Sequence, residues 1–191
     1  MSDAQYNPLL CDADNSALII IDIQTRLSNA MLPKVLTRIT RNSGTLLTAA
    51  GKLGIPVIAT EQYPQGLGTL EEGIIELLPA ETKRFAKTCF SCTGADGFSE
   101  QLDQTGRKQI ILTGMESHVC VLQTAMELIN SGHQVFVAAD AVCSRQRDNY
   151  ESSLQRMQQA GVIVTNTESI LFEWLRDASH EHFKTLSALI H

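Results

Sequence analysis

Short apolar runs alternate with amphipathic stretches along the chain. The runs are continuous and rich in β-branched and aliphatic residues, which is typical of strands buried on both faces of a sheet. We predict strands at residues 17–22, 55–60, 83–86, 109–113, 135–139 and 162–165.

Helical periodicity fills most of the segments between these runs. The longest helix should begin at Pro33, which suits a first helical position, and stop at Gly54, which suits the residue after a helix. Asp148 and Glu151 have the spacing of a capping box, which predicts a helix that stops at Gly161. Shorter helices are predicted near 71–77, 98–104, 119–131, 168–175 and 181–190.

Alternating strands and helices predict a parallel α/β sheet with right-handed crossovers and helices on both sides. With 191 residues, the chain should form a single domain over residues 1–191. Ligands bind such sheets in the crevice beyond the carboxyl ends of the strands. Candidate functional residues are therefore those that follow each strand.

Composition disfavours several classes of partner. The chain has 15 Lys and Arg against 21 Asp and Glu, a net charge of −6, and only 5% aromatic residues. We therefore expect neither nucleic-acid nor anionic-membrane binding. The longest apolar run, 17–21, is far too short to span a bilayer, and residues 1–15 contain no Lys or Arg. We expect a cytoplasmic protein.

Three residues that can take part in catalysis lie at the end of, or after, three different predicted strands: Asp22, Lys87 and Cys120. Alone, each has an ordinary interpretation as a loop cap, a solvated charge or a small core residue. Together they supply a carboxylate, an ammonium and a thiol to one crevice, which is the composition of an activated nucleophile. Ser117 is a plausible helix N-cap, so the helix dipole, with help from Lys87, is expected to lower the pKa of Cys120.

The sequence resembles the isochorismatase-like cysteine hydrolases, and specifically the isochorismatase-domain-containing subgroup. The resemblance covers nearly all of the chain from Ser16. It rests on Asp22-Ile23-Gln24, Thr60-Glu61-Gln62-Tyr63, Gly66-Leu67-Gly68, Lys87-Thr88, Phe90-Ser91, Gly114, Cys120-Val121, Ala139-Asp140-Ala141 and His182-Phe183-Lys184.

The resemblance implies a three-layer α/β/α sandwich with a six-stranded parallel sheet, in dimers or tetramers. It makes Asp22, Lys87 and Cys120 the catalytic triad. It also implies a cis peptide between Met115 and Glu116, with an oxyanion hole of backbone N–H groups near Glu116 and Cys120.

The resemblance further implies metal-independent hydrolysis of a small-molecule amide through a Cys120 thioester, with no cofactor. The metal-binding Asp-x-His pair of the nicotinamidases is absent, because Glu61-Gln62-Tyr63 stands there and no His precedes residue 118. Position after a strand makes Gln24, Tyr63 and Phe90 candidate substrate contacts.

Three alternatives stay open: an enol-ether hydrolase with Cys120 as a bystander, a non-catalytic binding or scaffold relative, and a thiol-redox protein that uses Cys89 and Cys92. The five cysteines, an odd number, are expected to be free thiols, and we interpret Cys89-x-x-Cys92 and His180-x-His182 as structural. His118 should face away from Cys120, two residues further on. Arg145 and Arg147 follow a strand and could contact an anionic substrate, but charged residues in such positions are more often simply exposed to solvent.

Overall fold

Six parallel strands form one sheet in the computed structural model, which describes residues 7–190. The order across the sheet is β3-β2-β1-β4-β5-β6. The strands are β1 (Ser16–Ile21), β2 (Val57–Gln62), β3 (Lys83–Lys87), β4 (Gln109–Met115), β5 (Gln134–Cys143) and β6 (Ile163–Thr165). The predicted six-stranded parallel sheet is confirmed.

Helices cover both faces of this sheet, which confirms the three-layer architecture. Leu18 and Ile20 of β1 join one apolar cluster, while Ile19 and Ile21 join the other, because successive side chains of a strand point to opposite faces. The α-helices are α1 (Thr25–Ser28), α2 (Pro33–Leu53), α3 (Pro64–Leu67), α4 (Glu72–Ile75), α5 (Phe98–Gln104), α6 (Leu122–Asn130), α7 (Arg147–Gln159), α8 (Thr167–Leu175) and α9 (Phe183–Ser187). Short 3₁₀ turns occupy Cys92–Gly94 and Ala188–Ile190.

The strand order reverses between the two central strands, β1 and β4. From β1 the chain moves outward through β2 to β3 and then returns to the other side of β1 as β4. The loops after β1 and β4 therefore diverge and leave a crevice at the carboxyl ends of these strands. Asp22 follows β1, and the turn that carries Cys120 follows β4.

Strand β5 is longer than the sequence predicts. Its pairing with β4 shifts in register after Leu112 and then continues as far as Met115 and Cys143. Asp140 is a polar residue within this otherwise apolar strand. Its carboxylate accepts hydrogen bonds from the backbone N–H and the hydroxyl of Thr167, both at 2.9 Å. This carboxylate thereby supports the start of α8.

The predicted capping box of α7 is wrong. The N-cap residue is Gln146, with no side-chain capping bond, and Asp148 lies within the first turn. Glu151 instead accepts a 2.6 Å hydrogen bond from Nε of Arg147, one helical turn earlier. Opposite charges four residues apart attract each other on a helix surface, and Glu151 forms this ion pair instead of a cap.

Gly114 brings β4 unusually close to β1, and we predict that replacing it is costly. A Cβ atom at Gly114 would lie 2.0 Å from the carbonyl oxygen of Ile21, and the φ angle of Gly114 is +131°. We expect Gly114→Ala to lower the free energy of unfolding by at least about 2 kcal/mol. Gly51→Ala in α2, with no atom within 4 Å of its added Cβ, should raise it by about 0.5–1 kcal/mol. Urea titration of both variants measures these changes, and equal stability of the two would contradict the account.

Candidate active site

A buried ion pair joins the ends of β1 and β3. Nζ of Lys87 lies 2.7 Å from Oδ2 of Asp22, and neither side chain has any exposed surface. Because β2 separates the two strands, the long lysine side chain spans the distance to the carboxylate. The structure thus brings together two of the three residues that the sequence singles out.

Lys87 is held in position by two further strong hydrogen bonds. Its ammonium group donates to Oε1 of Gln62 at 2.7 Å and to the carbonyl oxygen of Phe90 at 3.0 Å. Burial is the largest single influence and acts to lower the pKa of Lys87, but the charge and hydrogen bond of Asp22, together with Cys120 and Cys92, outweigh it and the net shift is upward. The side chain therefore remains a cation, as the partner of a buried carboxylate must.

The second oxygen of Asp22 is bound by a residue that sequence analysis missed. Oγ1 of Thr60, in β2, donates to Oδ1 of Asp22 at 2.8 Å. Asp22 itself has a left-handed backbone conformation, with φ of 52°, and its N–H donates to the carbonyl oxygen of Thr60 at 3.2 Å. Both carboxylate oxygens are thus fixed by neighbouring strands.

Cys120 lies in a π-helical turn, Ser117–Val121, that follows β4, and it is 5% exposed. The prediction of a lowered pKa is wrong. Burial and the negative charge of Asp22 raise the pKa of the Cys120 thiol, and the opposing charge of Lys87 is too weak to reverse the shift. The thiol therefore keeps its proton at neutral pH and needs a base to react.

Ser117 is not an N-cap, because Glu116 holds that position and no side chain caps the turn. The hydroxyl of Ser117 is instead hydrogen-bonded to Oγ of Ser144 at 2.6 Å and accepts a bond from Oγ of Ser153 at 2.9 Å. These contacts tie the turn that carries Cys120 to β5 and α7.

The raised pKa predicts how Cys120 reacts with alkylating agents. We expect its reaction with iodoacetamide to accelerate about tenfold for each pH unit, without a plateau below pH 9, because only the thiolate reacts. Asp22→Asn should shift the curve to lower pH, because Asp22 raises the thiol pKa. Peptide mapping in a Cys89→Ser background, which removes a partly exposed thiol, measures the rate. A plateau below pH 8 in the unaltered site would contradict the assignment.

A second buried thiol, that of Cys92, lies next to the ion pair. Its sulfur is 3.6 Å from Oγ1 of Thr60, and its N–H donates to Oγ1 of Thr124 at 2.9 Å. Burial and the charge of Asp22 raise its pKa to about 12. The Cys89-x-x-Cys92 spacing in the sequence gives no indication of this position. Both cysteines are free thiols.

The peptide bond between Met115 and Glu116 is cis, at the position that the resemblance implies. The Glu116 carboxylate is held by Nε of Arg145 at 2.7 Å and lies 3.3 Å from Nδ1 of His118. His118 also contacts Oγ of Ser144, at 2.9 Å from Nδ1. His118 and Arg145 thus flank the turn rather than the thiol.

Gln24, Tyr63 and Phe90, the predicted substrate contacts, differ in their surroundings. Gln24 is buried, and among residues 7–190 its amide group bonds only to backbone groups of Gln62 and Gly68. These bonds tie the loop after β1 to β2 and give no support to a substrate contact. Tyr63 and Phe90 are 53% and 52% exposed. The backbone of each is hydrogen-bonded to Lys87. The Tyr63 N–H donates to the Lys87 carbonyl oxygen at 2.7 Å, and the Phe90 carbonyl oxygen accepts from Nζ of Lys87.

Within residues 7–190, no three His, Cys, Asp or Glu side chains are grouped as ligands of a metal ion. No helix in the same range is long and apolar enough to cross a membrane.

Comparisons with known proteins agree with this architecture. The isochorismatase domain model matches residues 16–169. "Isochorismatase family protein 1B" of Dictyostelium discoideum is 36% identical over 176 residues, which cover 91% of this chain and 84% of that protein.

Two solved structures share the fold over nearly the whole chain. One, called MAR1 ribonuclease from Caenorhabditis elegans, is 36% identical with a TM-score of 0.89 and covers 95% of this chain and 92% of its own. The other, the ycaC gene product of Escherichia coli, is described as an octameric hydrolase of unknown specificity. It is 25% identical with a TM-score of 0.87, over 95% of this chain and 89% of its own. With the matched domain and these relatives, the chain belongs to the isochorismatase family.

Proposed function

We propose that this protein is a metal-independent cysteine hydrolase that cleaves the C–N bond of a small-molecule amide. Family membership supports a hydrolase in general. The observation that carries the finer proposal is the buried carboxylate of Asp22, which is bonded to Lys87 at 2.7 Å and raises the pKa of the Cys120 thiol. Asp22 also hydrogen-bonds to this thiol, which supports a role as its base.

In the proposed reaction, Asp22 takes the thiol proton as Sγ of Cys120 attacks the carbonyl carbon. The electron pair of the C=O bond moves onto oxygen, and backbone N–H groups of the turn after the Met115–Glu116 peptide bond stabilise the oxyanion. The C–N bond then breaks, and the proton on Asp22 passes to the leaving amine. Lys87 holds the carboxylate in place throughout.

The thioester is then hydrolysed by the same groups. Asp22 takes a proton from water, which attacks the thioester carbonyl, and the C–S bond breaks. The proton returns to the sulfur of Cys120, and a carboxylic acid leaves. One water molecule is consumed in the whole cycle, and one amide yields one acid and one amine.

Release of ammonia from a panel of small primary amides, measured with a coupled assay, tests this proposal. We expect at least one amide to be hydrolysed and isochorismate to be left intact. Enol-ether cleavage that persists in Cys120→Ala, with no amide hydrolysed, would replace the proposal with the enol-ether alternative.

RNA is a second candidate substrate, because the C. elegans relative is called a ribonuclease. The net charge of −6 disfavours it, since phosphate backbones are bound mainly by clustered Lys and Arg. Incubation of the protein with single-stranded RNA, with Cys120→Ser as control, decides the question. Cleavage by both proteins would point to chemistry that does not need the thiol.

We further propose that the protein works in the cytoplasm as a homo-oligomer, with a small molecule as its partner. An octameric relative supports self-association, and sedimentation analysis measures it directly. A chain that remains a monomer at the concentration of the assay would refute the oligomer.

A further inference from the structure

A cavity of about 360 Å³ lies beside the carboxyl end of β5, between the first turns of α2 and α7. Its walls include Cys143 and Ser144 at the end of the strand. None of the triad residues Asp22, Lys87 and Cys120 lines it. The cavity is therefore separate from the triad, and the proposed thiol chemistry does not use it.

The walls of this cavity carry an excess of positive charge. Four basic residues and one acidic residue line it: Lys34, Arg38, Arg145, Arg147 and Glu151. Glu116 neutralises Arg145, and Glu151 neutralises Arg147. Across residues 7–190, no acidic side chain forms an ion pair with Lys34 or Arg38, which leaves two uncompensated cations at the cavity.

Arg38 also has an unsatisfied hydrogen-bond donor. Its Nη2 donates to the carbonyl oxygen of Val142 at 3.2 Å, and its guanidinium group lies 5.7 Å from the ring centre of Tyr150. Its Nε is buried and has no hydrogen-bond partner within the described part of the chain. Buried donors are almost always paired, so this unpaired N–H leaves the charge of Arg38 only partly compensated beside the cavity.

The two helices that border the cavity add to the positive potential. Helices α2 and α7 have 21 and 13 residues and begin at the cavity, and neither has a side-chain cap. The first turn of α2 contains no acidic residue, whereas Asp148 lies in the first turn of α7 and offsets part of its dipole. Pro33 has no N–H and the N–H of Val35 donates to the carbonyl oxygen of Leu32, so α2 acts mainly through its dipole, which favours an anion beside Lys34.

We propose that this cavity is a binding site for a small oxyanion, with carboxylate or phosphate groups that pair with Lys34 and Arg38. The volume admits a molecule larger than inorganic phosphate. The proposal does not depend on the amide hydrolysis proposed above, because none of the triad residues lines the cavity.

Calorimetric titration with citrate and with inorganic phosphate, at constant ionic strength, tests the site. The two anions separate a preference for carboxylates from one for phosphate. We expect Arg38→Met to weaken binding about tenfold, as the loss of a charge-assisted bond does, and Lys34→Met to weaken it about threefold. Lys52→Met, at the other end of α2, should bind as the unaltered protein does.

A Cys120→Ser variant separates this proposal from the catalytic one, and we expect it to bind both anions unchanged. Failure of both anions to bind the unaltered protein would overturn the site. Equal losses of affinity in Lys34→Met and Lys52→Met would also overturn it, because they would show a general effect of net charge and not binding at the cavity. Lys34 is exposed, so its variant decides the matter even if Arg38→Met fails to fold.

Discussion

Replacing Cys120 with serine is expected to lower kcat/KM for the amide substrate by at least about 10³-fold, because a hydroxyl is a far weaker nucleophile than a thiol at this position. The substitution removes no side-chain volume of consequence, so the fold should survive. Steady-state kinetics on the most active amide of the panel measure the change.

Cys92→Ser is the matched control for this prediction. Cys92 is also buried beside the ion pair, 3.6 Å from Oγ1 of Thr60, yet it has no chemical step in the proposal. We expect its kcat/KM to stay within about threefold of the unaltered value, roughly the effect of a disturbed neighbouring hydrogen bond. Loss of activity in Cys92→Ser with retention in Cys120→Ser would identify Cys92 as the nucleophile and contradict the account.

Replacing Lys87 with methionine is expected to lower the free energy of unfolding by about 3–5 kcal/mol, because it leaves the buried carboxylate of Asp22 without its cation. Lys83→Met in the same strand is the control, since Lys83 is exposed and its loss should cost less than about 0.5 kcal/mol. Urea denaturation of the two variants gives both values.

The double variant Asp22→Asn with Lys87→Met identifies the source of that loss. Removing both charges should recover part of the stability that Lys87→Met loses, because the cost lies in the unpaired buried carboxylate. Additive losses in the double variant would mean that packing, and not charge, accounts for the effect.

The sheet and two members of the site followed from pattern alone. Continuous apolar runs specified buried parallel strands, and the residues directly after them included Asp22 and Lys87, which meet at 2.7 Å. The rule that the carboxyl ends of parallel strands share one edge was enough to pair them. It needed no knowledge of which strands are neighbours.

The roles of the supporting residues could not be found in the same way. Thr60 and Gln62 bind Asp22 and Lys87 because β2 lies between β1 and β3 in space. Sequence gives the chain order of the strands but not their order across the sheet. With that order known, the end of β2 would have been the first place to search.

The raised pKa of Cys120 was missed for a different reason. A helix dipole lowers the pKa of a thiol that lies in an ordinary first helical turn. Cys120 instead lies in a π-helical turn, where its thiol is buried and the negative charge of Asp22 acts on it. Burial and proximity to a carboxylate depend on tertiary packing, which local sequence does not encode. A thiol with a raised pKa depends on a base, which is the role that the proposed reaction gives to Asp22.

The most direct test of the central claim is mass spectrometry of the protein quenched in acid during turnover of an amide. The account predicts an added mass equal to the acyl part of the amide, mapped to the peptide that contains Cys120 and absent from Cys120→Ser. An acyl adduct on any other residue, or turnover of the amide by Cys120→Ser at the unaltered rate, would contradict it.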